Sequence, residues 1–91
     1  MAVGLVELHL GEAGSLKEKR HILKGMKERV KNRFNVSVAE VDHEDLWQRA
    51  TLAVACVAND GRLANEVVSK AVNFIESLSD GAVIDVRVEV L

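Results

Sequence analysis

The chain has 91 residues, of which 48% are hydrophobic, so it can bury a core of its own, and we expect one small domain over residues 1–91. Its one cysteine excludes a disulfide framework, and no apolar run approaches the roughly 20 residues that a membrane span needs. With a formal net charge of −2 and no leader-like start, the sequence predicts a soluble, cytoplasmic protein without membrane partners.

The first half of the chain predicts a strand and then a helix. Residues 2–10 alternate as in a strand with one buried face. After a loop with two glycines, Ser15 and Glu18 have the spacing of a capping box, in which both side chains accept hydrogen bonds from free N–H groups at a helix start. The helix is expected to end near Arg33. Its apolar face consists of Leu16, Ile22, Leu23, Met26, Val30 and Phe34.

The second half predicts two strands, a helix and a last strand. Residues 35–42 alternate again, residues 50–58 are continuously small and apolar, and a polar connection joins the two. A second helix is expected to begin at 59–60 and to end at 79–81, where Ser-Asp-Gly suits a helix C-terminus. Residues 82–90 alternate as a strand. Its apolar side is predicted to contain Ile84, Val86, Val88 and Val90.

The element order is therefore βαββαβ. Right-handed crossovers then favour a ferredoxin-like α+β sandwich, in which a four-stranded antiparallel sheet carries both helices on one face.

Three segments of the chain together resemble a known family. They are residues 15–24 (SLKEKRHILK), 33–42 (RFNVSVAEVD) and 45–52 (DLWQRATL), and the similarity covers the whole chain. The chain resembles the YlxP-like family of small bacterial proteins, domain of unknown function 503. The resemblance implies a ferredoxin-like fold and, because members are often encoded beside translation initiation and ribosome-maturation factors, a role near RNA or the ribosome. It supplies no catalytic residues.

The positive charge is concentrated in the first predicted helix. Eight of the twelve Lys and Arg residues lie between Leu16 and Arg33, against two glutamates, so this segment carries about +6 in a chain of net −2. Five of them fall within about 80° of the helical wheel and form a stripe about 20 Å long. We call this set the basic stripe: Lys17, Arg20, Lys24, Lys27 and Lys31.

The basic stripe predicts a polyanion-binding surface. Phosphates of RNA or a ribonucleoprotein would meet several of these cations at once, with salt-dependent affinity and little sequence specificity. A solvated helix face without a partner is the ordinary alternative, although such faces usually mix both signs of charge. A dimeric structural or interaction module whose basic helix meets an acidic protein is the other candidate function.

The open face of the predicted sheet does not favour base stacking. RNA-recognition motifs stack bases on aromatic residues of this face, but the corresponding positions here are aliphatic or polar. Four acids are expected there as well: Glu7, Glu40, Asp85 and Glu89. The centre of the face is small and partly apolar, which is compatible with a homodimer or with a simple open face.

The connection before the third strand holds two further candidates. Asp42, His43, Glu44 and Asp45 offer metal-ligating atoms, but we favour a short helical turn that Asp42 or Asp45 caps, and we expect no metal. Trp47 and Arg49 are a possible secondary contact that would stack on and clamp a base. We favour the other interpretation, in which Trp47 and its neighbour seal the core and Arg49 pairs with a loop acid.

No constellation for catalysis is visible in the chain. Gly11 and Gly14 flank a short loop that lacks the Gly-Lys-Ser/Thr of a nucleotide-binding loop, and Cys56 lies inside an apolar run without an activating base. The sequence therefore predicts a binding module rather than an enzyme, with no cofactor.

Overall fold

The computed structural model of the protein describes residues 1–11, 13–79 and 82–91. Its elements are β1 (Ala2–His9), α1 (Leu16–Arg33), β2 (Ser37–Asp42), β3 (Arg49–Cys56), α2 (Gly61–Ser79) and β4 (Val83–Val90). All strand pairs are antiparallel, in the order β2-β3-β1-β4. The predicted ferredoxin-like α+β fold is confirmed. Neither helix among these residues has the length and apolar character needed to cross a membrane.

The core lies between one face of the sheet and the two helices. Alternate residues of β1 and β3 are buried against buried residues of α1 and α2. Gly4 of β1 marks the closest approach, because a Cβ atom there would lie 2.9 Å from Val68 Cγ1 and 3.1 Å from Val72 Cγ2. A residue without a side chain at this point lets α2 pack directly on the centre of the sheet.

The predicted capping box starts α1, with one difference in its second bond. Ser15 Oγ accepts a hydrogen bond from the Glu18 N–H at 3.1 Å. The Glu18 carboxylate accepts from the Gly14 N–H at 2.8 Å, one residue before the usual donor. The helix ends at Arg33, as predicted, and the Phe34 N–H still donates to the Val30 carbonyl.

The second helix begins behind Asp60, whose carboxylate accepts a hydrogen bond from the Arg62 N–H at 2.9 Å. Its last described residue is Ser79, and the rest of the predicted Ser-Asp-Gly ending lies outside the described residues. Between the helices, Phe34 and Phe74 pack edge to face with ring centroids 5.8 Å apart.

The strand β4 differs from the prediction at Ile84. Leu8 of β1 pairs with Val83 and Glu7 pairs with Asp85, so Ile84 is the extra residue of a bulge and is 52% exposed. The side-chain alternation shifts by one residue across a bulge. Ile84 is therefore not on the apolar side of β4, and Val83 points towards the core instead.

Candidate nucleic-acid interface

The basic stripe runs along the solvent side of α1. Four of its residues are exposed and Lys27 is half-buried. The helix buries the neighbouring row against the sheet, with Leu23, Met26 and Val30 at its centre. The stripe therefore flanks the buried row and does not take part in it.

The stripe faces away from the second helix. On the other flank of α1, the Arg33 guanidinium lies 4.8 Å from the ring centroid of Phe74 in α2. Ile22 and Arg29 line a groove on that same flank together with Leu78 of α2. Since α1 contacts β2 and α2, the opposite flank with the basic stripe borders the outer edge of the sheet at β2.

The cations of the stripe form no ion pair with described residues, although Glu28 lies beside the stripe on α1, four residues after Lys24. Among the residues that the structure describes, no carboxylate oxygen lies within 4.0 Å of any of the five. Glu18, an acid of the same helix, is used in the cap. The stripe thus presents positive charge to solvent, which is the property that binding a polyanion requires.

A sixth cation of α1, Lys19, has a different place. Its side chain is fully buried, and its ammonium group donates to the carbonyls of His43 at 2.7 Å, Glu44 at 3.2 Å and Arg49 at 3.3 Å. Glu40 Oε2 lies 2.9 Å from the same nitrogen. Three N–H bonds cannot point at four oxygens, and the Glu40 oxygen lacks hydrogen-bond geometry, so charge attraction holds this carboxylate.

This arrangement corrects the predicted position of Glu40. The residue lies on the helix side of β2, beside Lys19, and does not add charge to the open face of the sheet. Burying a cation without a partner costs a large free energy. Glu40 and the three carbonyls are the partners that allow Lys19 to be buried.

The sequence contained a signal for Lys19 that the prediction of the stripe did not use. Lys19 belongs to the i, i+4, i+7, i+11 row formed with Leu23, Met26 and Val30, which is the most buried row of α1. A cation in such a row indicates a buried partner of opposite charge. Glu40, in turn, alternates with Val38 on the inner side of β2.

The connection between β2 and β3 is held at both ends, and its tip is free. Lys19 binds the carbonyls of His43 and Glu44 in the connection and that of Arg49 at the start of β3. The Leu10 N–H donates to the Gln48 carbonyl, and the Gln48 amide donates to the Gly11 carbonyl. At the tip, Leu46 is 44% exposed and Trp47 is 56% exposed. The favoured prediction that these two side chains seal the core is therefore wrong.

Arg49 lies at the end of this connection. As the first residue of β3 it is paired with His9 of β1, and its guanidinium lies 3.5 Å from Glu7 Oε2 on the open face of the sheet. The predicted acidic partner is thus a residue of a strand and not of a loop. Trp47 and Arg49 nevertheless line one shallow concavity with residues 45, 46 and 48, and their joint contact stays a prediction.

The aspartate-rich segment forms a turn, although not the predicted helical one. Asp42 Oδ1 accepts a hydrogen bond from the His43 N–H at 2.8 Å, and the Leu46 N–H donates to the His43 carbonyl. His43 has a φ of 62°, a left-handed conformation that short polar residues adopt in turns. In the part of the chain that the structure describes, no three His, Cys, Asp or Glu side chains converge as a metal site.

Comparison with known proteins agrees with the resemblance that the three segments indicated. A family model described as a protein of unknown function (DUF503) matches residues 1–88. The uncharacterized protein YlxP of Bacillus subtilis (strain 168) is 39% identical over 69 residues, which cover 76% of this chain and 75% of that protein. The chain belongs to the DUF503 family.

Proposed function

We propose that this protein is a binding module that docks onto RNA, or onto the RNA of a ribonucleoprotein, through the basic stripe of α1. The observation that carries the proposal is a 20 Å row of five cations that forms no ion pair with described residues and borders the outer edge of the sheet. Each residue has a role as a phosphate contact: Lys17, Arg20, Lys24, Lys27 and Lys31.

The stripe fits the backbone of a nucleic acid better than its bases. Lysine is a flexible point charge, and four of the five residues are lysines, so the row neutralises phosphates without reading base edges. The open face of the sheet offers no aromatic residue for stacking, because Phe34 and Phe74 lie between the helices and Trp47 lies on a loop. Docking should therefore depend strongly on salt and weakly on sequence.

Trp47 is the proposed secondary contact. Lys19 attaches the loop that contains Trp47 to the first two turns of α1. Lys17 and Arg20 of the basic stripe flank Lys19 in the sequence. The exposed indole ring lies on this tethered loop. It would stack on an unpaired base next to the bound backbone. Arg49 lines the same concavity as Trp47, and its guanidinium lies 3.5 Å from Glu7 Oε2.

A binding titration over a range of salt concentrations tests the proposal. The wild-type protein should bind a structured RNA with log K falling against log salt by about 0.7–0.9 for each neutralised phosphate. Lys24→Glu/Lys27→Glu should remove binding without unfolding the protein, since both side chains have access to solvent. Fluorescence anisotropy measures the affinity, and circular dichroism checks the fold. Equal RNA binding by the double variant would overturn the proposal.

A matched pair of single variants separates position from net charge. Lys24→Glu and Lys70→Glu each replace one exposed lysine by an acid, one in α1 and one in α2. Lys24→Glu should lower the salt slope by about 1, whereas Lys70→Glu should leave it almost unchanged.

Trp47→Ala should weaken binding of RNA that has an unpaired base and leave the salt slope unchanged. Capture by an immobilised acidic polypeptide without RNA binding would favour the acidic-protein partner instead.

A further inference from the structure

The two edge strands of the sheet are protected to different degrees. β2 carries a charged residue, Glu40, on its inner side and has a register shift next to it, and both features discourage pairing with another strand. β4 has its bulge at Ile84, near its start, so that residues 85–90 form a regular strand with one free edge. A free edge of this kind is a template for a further strand.

The sequence of this free edge is complementary to itself. If two copies pair antiparallel about Val88, Arg87 of each copy lies opposite Glu89 of the other, and Val86 lies opposite Val90. Opposite charges and β-branched residues are favourable cross-strand pairs. A register about Val86 would pair Asp85 with Arg87, but it would draw the bulge at Ile84 into the ladder.

The valines of this edge are incompletely covered. Val86 and Val88 are half-buried and Val90 is 52% exposed, although all three lie on the side of the sheet that carries the helices. In the register about Val88, each of these side chains gains a valine neighbour from the second copy. Pairing would therefore remove apolar surface from water at the place where α2 leaves it exposed.

The flank of α2 that faces away from Phe74 also carries a symmetric charge pattern, and its centre lies level with Val88. Gly4 pairs with Val88, and a Cβ atom on Gly4 would touch Val68 and Val72, so the middle of α2 lies level with Val88. On the flank of α2 away from Phe74, Ser69 is midway between Arg62 and Glu76. An antiparallel second copy therefore places Arg62 opposite Glu76 when Ser69 is at the centre.

The pattern of β4, centred on Val88, and the pattern of α2, centred on Ser69, lie at the same height along the strands. From a strand spacing of about 4.8 Å, the two α2 helices of such a pair would run roughly 10–15 Å apart, where long side chains can meet. We infer that two copies of this chain associate through the free edges of β4, which gives a continuous eight-stranded sheet with a two-fold axis beside Val88 and Ser69. The partner is a second copy, and the inference does not depend on RNA binding by α1.

Charge reversal tests the pairing and its register. Arg87→Glu and Glu89→Arg should each weaken the dimer by roughly tenfold or more, because each places like charges opposite one another twice. The double variant Arg87→Glu/Glu89→Arg should restore it. A mixture of the two single variants should form a mixed dimer, since one then carries only acids and the other only arginines at these two positions. Sedimentation velocity and native mass spectrometry measure both results.

Three control variants separate this dimer from other pairs. Asp85→Arg should leave the dimer intact in the register about Val88 and would disrupt the register about Val86. Ser69→Arg should disrupt only an interface that brings the α2 helices together. Ala53→Glu, in the middle of the open face, would disrupt a face-to-face pair and should spare the edge-to-edge one. A wild-type protein that stays monomeric up to its solubility limit, or a mixture of single variants that forms no mixed dimer, would overturn the inference.

Discussion

Lys19 places a full positive charge inside the protein and provides it with four oxygens. Two are backbone carbonyls of the segment between β2 and β3, the third is the carbonyl of Arg49 at the start of β3, and the fourth belongs to Glu40. The pair itself is not a large source of stability, because both charges lose their water. Its effect is local: a segment of polar residues is fixed against α1, and the shape of the tip with Trp47 follows from that attachment.

Removing the ammonium group should destabilise the protein strongly. We expect Lys19→Met to lower the free energy of unfolding by about 3–5 kcal/mol, because Glu40 and three carbonyls would remain buried without their donor. Urea denaturation measures the change. Lys17→Met, two residues earlier and exposed, is the matched control and should change stability by less than about 0.5 kcal/mol. Equal stability of the two variants would contradict the clamping role of Lys19.

At the residue scale, the exposure of a side chain could be predicted where it depends on local geometry, and not where it depends on distant parts of the chain. The exposed cations follow from their angle on the helical wheel, which is a local property of α1. The burial of Lys19 depends on Glu40 and on carbonyls of His43 and Arg49, and only the folded chain brings these groups together. Trp47 was expected to pack, since large aromatic residues usually do, but the tethered loop holds it outwards.

The elements themselves were predictable because their signals are local. Ser15 and Glu18 start α1, Asp60 starts α2, and the apolar patterns mark the strands within two residues of their observed ends. The bulge at Ile84 was not predictable, because it exists only relative to the register of β1. Side-chain alternation alone assumes an uninterrupted strand.

The glycine in the middle of α1 should be replaceable with a gain in stability. A Cβ atom on Gly25 would have no atom within 4 Å, so Gly25→Ala removes backbone freedom from the unfolded chain without a clash. We expect about 0.5–1 kcal/mol and a rise in Tm of roughly 2–8 °C by calorimetry. Gly4→Ala gives the opposite result, a loss of about 1–3 kcal/mol, because α2 packs directly on that residue. A loss of stability in Gly25→Ala would contradict the expectation for α1.

On the scale of the whole molecule, charge is divided between separate surfaces. The positive surface is the flank of α1 beyond β2, while Glu7, Asp85 and Glu89 lie on the open face of the sheet. The net charge of −2 is therefore a sum over surfaces that differ in sign. The order β2-β3-β1-β4 also places the two edges with different properties on opposite sides.

That strand order determines what a pair of copies would do with RNA. With β4 joined to β4, the two basic stripes lie at the far ends of the sheet, at least roughly 34 Å apart by strand spacing, and face outwards. Donor- and acceptor-labelled RNAs mixed with the wild-type protein should then show energy transfer. Arg87→Glu should bind each RNA with the same salt slope and bring no two together, whereas undiminished transfer by this variant would contradict the geometry. The pair would be a divalent bridge that gathers separate strands, because neither protomer adds a contact to the strand held by the other.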